Sequence, residues 1–243
     1  MRGLFVSGTD TGAGKTIVSA ALLAAMRAEG EFVRAHKPVV TGISEPSGEW
    51  PADHDLLAAA AGMDPHEVAP LRFGPAVSPQ LAAVLAGKPI EPLELVERAR
   101  TAGAIADSEE GTGRSGSQAP VLIVEGVGGL LVPLAEDFAV RDLAAELALP
   151  LIIAARPGLG TINHTLLTLQ AARSAALAVR AVVLTPWRDE PSEIEQSNRE
   201  TISRLGDVEV ATLDTAQGPD LAELARLGNT LPWRRWLAVA SHT

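Results

Sequence analysis

The feature that most constrains the fold is a glycine-rich turn between an apolar run and a helix-forming segment. Residues 4–6 (LFV) lead into residues 7–16 (SGTDTGAGKT), and a helix is predicted over 15–28. In this order, a buried strand would deliver the chain to a loop whose backbone N–H groups converge on phosphate oxygens, with the N-terminus of the helix adding positive potential. Lys15 suits the β- and γ-phosphates as a point charge, and the Thr16 hydroxyl suits Mg2+. The segment is therefore predicted to bind phosphate.

One position departs from the general pattern G-x-x-x-x-G-K-[ST]. Counting back from Gly14 places Thr9 at the first glycine of the pattern, and Gly8 lies one residue too early. An alternative in which the glycines only form a turn is disfavoured, because the apolar run, the loop, the Lys-Thr pair and the helix follow one another in the required order.

The composition limits the class of protein. A chain of 243 residues fits one α/β domain, predicted here over 1–243. The net charge of -10 argues against nucleic acid and anionic membranes as partners, because those surfaces need clustered cations. The absence of cysteine excludes a disulfide framework, a thiolate metal site and a cysteine nucleophile. No apolar run reaches about 18 residues, and residues 1–3 enter a predicted strand rather than a leader peptide, so a cytoplasmic protein is expected.

The periodicity of the chain predicts its fold class. Short β-rich apolar runs alternate with Ala- and Leu-rich helical segments. This pattern is typical of a mostly parallel sheet with helices on both faces, and together with the phosphate-binding loop it predicts a single-domain, P-loop NTPase-like α/β fold. The predicted strands are 3–7, 32–37, 121–125, 150–155, 179–184 and 207–212. The predicted helices are 15–28, 53–61, 79–86, 92–104, 140–147, 161–176, 191–204 and 219–226.

Two segments lack periodicity. Residues 41–50 directly follow a predicted strand, at the edge of the sheet where α/β proteins bind ligands. Residues 107–118 (DSEEGTGRSGSQ) have a composition that cannot form a core, and they are predicted to be a mobile surface loop.

Two predicted strands end on charged residues. Residues 120–129 (PVLIVEGVGG) read as a buried strand that ends on Glu125, where an acid beside the phosphate-binding loop could hold Mg2+. The glycines that follow permit close approach of the backbone to a ligand. Lys37 ends the second strand and would point towards the same crevice as Lys15. A solvated charge at the end of a strand remains the alternative for both Glu125 and Lys37.

Two further segments carry polar groups at the start of predicted helices. Asp53 and Asp55 begin one helix, where either carboxylate could simply cap it. Residues 158–165 (GLGTINHT) join a strand to a helix and could offer N–H groups to a carboxylate. Thr161 and Asn163 are equally ordinary caps.

Taken together, these residues resemble the dethiobiotin synthetase family of ATP-dependent carboxylases. The matching pieces occur in order and span most of the chain: 8–16 (GTDTGAGKT), 37–42 (KPVVTG), Asp55 at the start of its helix, 124–129 (VEGVGG) and 159–164 (LGTINH). The extra residue in the phosphate-binding loop is itself typical of that family, which makes the resemblance specific.

The resemblance implies a role for each matching position. Phosphate binding falls on Gly12, Ala13, Gly14, Lys15, Thr16 and Ile17. Mg2+ falls on Thr16, Asp55 and Glu125, and the catalytic cations are Lys37 and Lys15. Further nucleotide contacts fall on Asp55, Glu125, Gly126, Val127, Gly128, Thr185 and Pro186. The diamine substrate falls beside Thr11 and Thr41. Its tail carboxylate, held across a homodimer interface, falls on Leu159, Gly160, Thr161, Ile162 and Asn163.

The implied reaction converts 7,8-diaminononanoate, CO2 and ATP to dethiobiotin, ADP and phosphate. One amine captures CO2 as a carbamate, which attacks the γ-phosphate of ATP to give a carbamic-phosphoric anhydride. The second amine then closes the ring and expels phosphate. Because the site must assemble several anions, Lys15, Lys37 and Mg2+ would stabilise the developing charge.

The expected base-binding segment departs from the family. The family uses an Asn-Asp pair after the strand predicted at 179–184 to hydrogen-bond adenine, whereas this chain continues into Thr185, Pro186 and Trp187. Proline lacks a backbone N–H, and neither neighbour offers the paired donor and acceptor of an amide. Trp187 could stack on any base, or it could be a structural aromatic residue. The sequence therefore predicts relaxed nucleotide choice, with other nucleoside triphosphates accepted beside ATP.

Two other functions share parts of this pattern. Regulatory, dimerising ATPases of the partition or septum-positioning kind have a similar loop, but they carry a lysine where Asp10 stands in this chain. Biosynthetic amidotransferases of the cobyrinate type have a related synthetase region, but this chain lacks both the length and the cysteine for a glutaminase half. Dependence of ATP hydrolysis on the diamine and bicarbonate, rather than on DNA or a partner protein, would separate these functions.

Overall fold

The computed structural model describes residues 1–45, 48, 50–105 and 119–238. The loop predicted at 107–118 lies outside the described residues. The strands of the described part are, in chain order, β1 (Arg2–Gly8), β2 (Val33–His36), β3 (Val39–Thr41), β4 (Leu71–Phe73), β5 (Val121–Gly129), β6 (Pro133–Ala135), β7 (Phe138–Ala139), β8 (Leu151–Ala155), β9 (Val179–Trp187) and β10 (Glu209–Asp214).

Six of these strands form one sheet, in the order β10-β9-β8-β1-β5-β2. All of its pairings are parallel. β1 lies inside the sheet because it is apolar on both faces, with Leu4, Phe5 and Val6 fully buried. The six strands correspond to the six predicted ones, so the predicted parallel sheet is confirmed.

Helices cover both faces of this sheet. In chain order, they are α1 (Lys15–Ala28), α2 (Asp53–Ala61), α3 (Pro65–Val68), α4 (Pro79–Leu85), α5 (Pro92–Ala104), α6 (Val140–Leu147), α7 (Thr161–Ser174), α8 (Glu193–Gly206), α9 (Leu221–Gly228) and α10 (Trp233–Leu237). Buried side chains of α1, α2, α9 and α10 share one apolar core, and those of α5, α6, α7 and α8 share the other. The predicted P-loop NTPase-like α/β class is confirmed.

Four strands end beyond their predicted ends, and β5 and β9 do so by the most residues. β5 and β9 continue to Gly129 and Trp187, past the predicted ends at 125 and 184. The β1–β5 pairing shifts register between Val6 and Gly8, which lets Gly8 pair with Gly129. The glycine-rich stretch after Glu125 therefore stays attached to the sheet beside the phosphate-binding loop.

The smaller elements were not predicted. β3 and β4 form a parallel pair, and β6 and β7 form an antiparallel pair. Strands of two or three residues carry too little alternation to be recognised, and each of these is held by pairing with another short strand. β3 carries Thr41 just beyond the carboxyl end of β2, so this pair helps to position the substrate side of the candidate site.

None of the helices in the described ranges is both long and apolar enough to cross a membrane.

Candidate active site

The loop after β1 lies at the carboxyl edge of the sheet, where α/β proteins bind ligands. Gly12 and Gly14 have φ angles of +69° and +89°, in the left-handed region that favours glycine. α1 begins at Lys15, so the free N–H groups of its first turn lie next to the loop. A Cβ on Gly14 would overlap the Thr185 Cγ2 methyl, so the end of β9 closes directly onto the loop.

Lys15 folds back across this loop. Its Nζ donates to the backbone oxygen of Asp10 at 3.0 Å, and the Asp10 carboxylate accepts from the Thr11 N–H at 2.7 Å. Burial lowers the pKa of the Lys15 ammonium, and the nearby charge of Lys37 acts in the same direction against the attraction of Glu125. Since the hydrogen-bond partner of Lys15 in the described structure is a neutral carbonyl, its charge is available to an anion.

A buried cation and two carboxylates lie beside the loop. Lys37 Nζ is 2.5 Å from Glu125 Oε1 and 2.5 Å from Asp53 Oδ2. The Thr16 hydroxyl donates to the same Glu125 Oε1 at 3.0 Å. Lys37 is 3% exposed and Glu125 is 1% exposed. Both residues predicted as solvated or functional strand ends are therefore buried in one cluster, together with Thr16.

The electrostatics of this cluster keep Lys37 protonated. Burial alone would lower the pKa of Lys37, but the carboxylates of Glu125 and Asp53 outweigh it and raise the pKa to about 12. Burial also acts to raise the pKa of Asp53, and the charge and hydrogen bond of Lys37 instead hold it below its ordinary value. A group that stays charged at neutral pH is suited to stabilising anions rather than to accepting protons.

The donor set fits Mg2+. Glu125 Oε2 is buried and has no hydrogen-bond partner among the described residues, and the Thr16 hydroxyl lies against the other oxygen of the same carboxylate. Mg2+ takes oxygen ligands and keeps waters or phosphate oxygens in the rest of its shell, so it needs only one or two carboxylates from the protein. Accordingly, the described residues contain no cluster of three His, Asp or Glu side chains that could hold a metal unaided.

The structure separates the two aspartates at the start of α2. Both side chains are half exposed, but Asp53 lines the cavity and pairs with Lys37, whereas Asp55 Oδ1 lies 3.6 Å from His54 Nε2. The contact between Asp53 and Lys37 was missed from the sequence, since both aspartates lie in the first turn of α2 and either could have capped the helix. The observed N-cap is Ala52. The role of Asp55 as an Mg2+ ligand stays a prediction.

A cavity of about 880 Å3 opens next to this cluster. Its polar end is lined by residues of the loop and the cluster: Thr11, Gly12, Gly14, Lys15, Thr16, Ile17, Lys37 and Asp53. Thr185, Pro186, Thr215 and Ala216 line it at the ends of β9 and β10. Ala13 and Glu125 are buried beneath this surface and are 1% exposed each.

The other wall of the cavity is mostly apolar. It is formed by Val40, Thr41, Trp50, Pro51, Leu56, Ala76, Val77, Ser78, Pro79, Val127, Gly128 and Val132. Of these, only Thr41, Val127 and Gly128 were predicted from the sequence. The remainder come from separate parts of the chain: β3, the start of α2, the turn into α4 and the residue before β6. Most of their side chains are apolar and carry no chemical signature that a pattern could reveal.

The segment predicted to hold a carboxylate lies apart from this cavity. Gly160 has a φ of +89° and α7 begins at Thr161. Leu159 is 98% exposed, and the Thr161 and Thr165 hydroxyls lie 3.5 Å apart. Asn198 of α8 supports the segment by donating to Pro157 O at 2.9 Å. None of residues 159–163 lines the cavity, so within one chain the two predicted binding regions are separate.

Trp187 does not face the cavity. Its ring is 9% exposed in the core, with the Arg199 guanidinium 6.0 Å from the ring centroid. Of the two possibilities left by the sequence, the structure supports the structural aromatic residue. Stacking on a base would require the ring to leave the core.

Known proteins resemble this chain over most of its length. The family model described as an AAA domain matches residues 2–213. The ATP-dependent dethiobiotin synthetase BioD of Bacillus subtilis (strain 168) is 36% identical over 207 residues, which cover 84% of this chain and 83% of that protein. The protein of the same name from Anaeromyxobacter dehalogenans (strain 2CP-1) is 40% identical over 234 residues, covering 95% of this chain and 97% of its own. That from Mycobacterium sp. (strain JLS) is 35% identical over 237 residues, covering 97% of each.

Proposed function

Because the chain belongs to the dethiobiotin synthetase family, we propose that it converts 7,8-diaminononanoate and CO2 to dethiobiotin at the expense of ATP, releasing ADP and phosphate. The observation that carries the proposal is the cluster of Lys37, Glu125 and Thr16 at the point where a phosphate-binding loop meets an apolar cavity wall. The comparisons give no support to the regulatory ATPase.

We assign the triphosphate to the loop and the first turn of α1. The N–H groups from Gly12 to Ile17 would bind the phosphate oxygens, and Lys15 would leave the Asp10 carbonyl to contact the β- and γ-phosphates. The base would lie between the glycine-rich end of β5, where Gly126, Val127 and Gly128 are placed, and the residues Thr185 and Pro186.

We assign Mg2+ to the Thr16 hydroxyl and the Glu125 carboxylate, with Asp55 as the third ligand that the family implies. When bound, the ion would supply positive charge to the β- and γ-phosphates during transfer. The free Glu125 Oε2 supports this assignment, because a buried carboxylate oxygen without a partner is costly unless a ligand satisfies it.

The chemistry needs cations more than it needs a protein base. In the first step the amine nitrogen bonds to the carbon of CO2 and loses a proton, giving a carbamate. A carbamate oxygen then bonds to the γ-phosphorus as the bond to the ADP oxygen breaks. The second amine attacks the carbamate carbon, loses its proton, and phosphate leaves. Lys37 stays protonated, so it would stabilise the carbamate and the transferring phosphoryl group.

The apolar wall suits the carbon chain of the diamine. Thr41 and Thr11 lie at the two sides of the cavity with hydroxyls that could contact the amines. The wall from Val40 to Val132 would bury methylene groups at roughly 0.8 kcal/mol each.

We further propose that the enzyme is a homodimer. The support is the resemblance to the family, which uses this segment for the tail carboxylate across a dimer interface. Leu159 in the segment is 98% exposed, so it is open to contact with a second copy of the chain. The acidic charge of -10 supports small-molecule partners rather than nucleic acid or membranes. Since ATP is a cytoplasmic metabolite, we propose the cytoplasm as the site of action.

Coupled substrate dependence tests the proposal. Purified protein with ATP, Mg2+, bicarbonate and the diamine should form dethiobiotin, detected by mass spectrometry, with one ADP released for each product. Omission of the diamine or of bicarbonate should abolish ADP release. ATP hydrolysis that is independent of both, or that is stimulated by DNA, would instead favour the regulatory ATPase.

A further inference from the structure

An arginine outside the predicted site contacts the phosphate-binding loop. Arg156 follows the last residue of β8, and its Nη2 donates to the backbone oxygen of Thr11 at 3.1 Å. A Cβ on Gly12 would lie 3.6 Å from the same nitrogen, so the guanidinium lies directly against the Thr11–Gly12 peptide. We propose that Arg156 is a positioning residue for nucleotide binding, which fixes this peptide so that the Gly12 N–H faces the triphosphate. The inference rests on the proposed function of the loop.

The contact between Arg156 and Thr11 O also fixes the direction of the Gly12 N–H, because the peptide bond between Thr11 and Gly12 is planar. In a trans peptide the C=O of one residue and the N–H of the next point in opposite directions. The Thr11 carbonyl points towards Arg156, so the Gly12 N–H points away from it. Gly12 lines the cavity, whereas Arg156 does not. The bond therefore holds a phosphate donor in place from the opposite side of the loop.

This peptide needs an external constraint. Gly12 has a φ of +69° and lacks a Cβ, so side-chain sterics do little to prevent rotation of the Thr11–Gly12 peptide. In the structure the loop is held at two successive carbonyls, Asp10 O by Lys15 and Thr11 O by Arg156. Once Lys15 moves to the phosphates, the bond from Arg156 is the one that remains.

The role is indirect by construction. The Arg156 side chain is exposed, and its hydrogen-bond acceptor within the described ranges is Thr11 O alone. Its effect on the nucleotide passes through the loop backbone rather than through contact with phosphate. It should therefore affect nucleotide affinity most and the chemical step little. A smaller effect on the diamine is expected, because Thr11 belongs to the peptide that Arg156 holds.

The test compares Arg156→Gln and Arg156→Lys with the control Arg226→Gln. The control also removes one positive charge, at an exposed position on α9. Affinity for the non-hydrolysable analogue AMP-PNP with Mg2+ is measured by calorimetry at low and high salt, and KM and kcat are measured with varied ATP and varied diamine. We expect Arg156→Gln to weaken AMP-PNP binding and raise KM for ATP by about 10-fold, because a hydrogen bond from a charged donor is lost. The diamine KM should change less than the KM for ATP, Arg226→Gln should match the unsubstituted chain, and Arg156→Lys should restore part of the affinity.

Several results would overturn the inference. They are an unchanged KM for ATP in Arg156→Gln, an equal loss in Arg226→Gln, or a loss that disappears at high salt, which would indicate a long-range charge effect. If Arg156→Gln does not fold, the partial loss expected for Arg156→Lys decides the question. Failure of the unsubstituted protein to form dethiobiotin while it still binds AMP-PNP would refute the proposed function and leave this inference in place.

Discussion

The phosphate-binding loop and the segment 159–163 differ in how many contacts each makes within one chain. Around the loop, Lys15, Lys37 and Glu125 are buried. Lys15 donates to Asp10 O within the loop, and Lys37 pairs with Glu125 from a distant part of the chain. In the other segment Leu159 is 98% exposed and the first turn of α7 does not line the cavity. Both follow the same rule, in which a parallel strand ends and a helix begins. The difference teaches that one chain forms the phosphate-binding side of the proposed site by itself, whereas the segment 159–163 lies outside the cavity of the same chain.

The first prediction concerns the two lysines beside the phosphate-binding loop and has the largest expected effect. Lys37→Ala and Lys15→Ala should each lower kcat on the order of 100- to 1,000-fold, because each removes a preorganised charge from a developing anion. Lys88→Ala, at the remaining lysine of the sequence and exposed, is the matched control and should retain full activity. Circular dichroism establishes which variants are folded. Near-normal turnover in folded Lys37→Ala would remove it from the mechanism.

The second prediction tests whether the phosphate-binding side of the proposed site recognises the base of the nucleotide. Thr185 and Pro186 line the cavity where the family places an amide and a carboxylate, and Trp187 is buried in the core. Without paired hydrogen bonds to the base, kcat/KM for GTP or CTP should lie within roughly 100-fold of that for ATP, a gap of about 2.7 kcal/mol. The measurement is kcat/KM for ATP, GTP, CTP and UTP at saturating diamine and bicarbonate. A much stronger preference for ATP would show that other groups of the proposed site recognise adenine.

The third prediction tests whether the segment 159–163 needs a second copy of the chain in order to bind the diamine. Leu159→Asp should weaken self-association roughly 10- to 100-fold, because the burial of one leucine is replaced by that of a charge. The KM for the diamine should rise at low protein concentration while AMP-PNP affinity stays the same. Leu93→Asp, at a leucine of α5 that is 84% exposed, is the control. If sedimentation velocity shows a fully active monomer for the unsubstituted protein, the segment 159–163 does not need a second copy of the chain.

The smallest effect concerns the metal ligands. Glu125→Gln and Asp55→Asn should each raise the half-saturating Mg2+ concentration by about 10-fold, since each removes one charged oxygen ligand. Asp53→Asn is the informative comparison, because Asp53 is already paired with Lys37 and Asp55 is not. If the Mg2+ titration is unchanged in Asp55→Asn and shifted in Asp53→Asn, the third ligand is Asp53. Thermal melts separate metal effects from unfolding.

The sequence predicted the features that repeat or that carry chemistry. Continuous apolar runs gave the six strands of the sheet, and the loop motif placed Lys15 at the start of α1. The strand ends at Lys37 and Glu125 placed both residues at one edge, where the structure joins them in an ion pair.

Features that depend on distant contacts were not predictable. The short strands β3 and β4 have no periodic signal. The apolar cavity wall was missed because its residues come from separate parts of the chain and meet only in the fold. Asp53 and Asp55 differ only in direction at the start of a helix, so their local sequence could not show which one contacts Lys37. Arg156 was missed because a single arginine after a strand has no distinctive spacing, and its contact with Thr11 exists only once β8 pairs with β1.

The fate of one oxygen atom tests the central claim most directly. If a carbamate oxygen attacks the γ-phosphorus and later leaves with it, an oxygen that entered with CO2 must end in the released phosphate. The measurement is a short reaction with 18O-labelled bicarbonate, stopped before its oxygen exchanges with water, followed by mass spectrometry of the phosphate. The account predicts one 18O transferred to phosphate for each dethiobiotin formed. Unlabelled phosphate, released together with dethiobiotin from fully labelled bicarbonate, would contradict it.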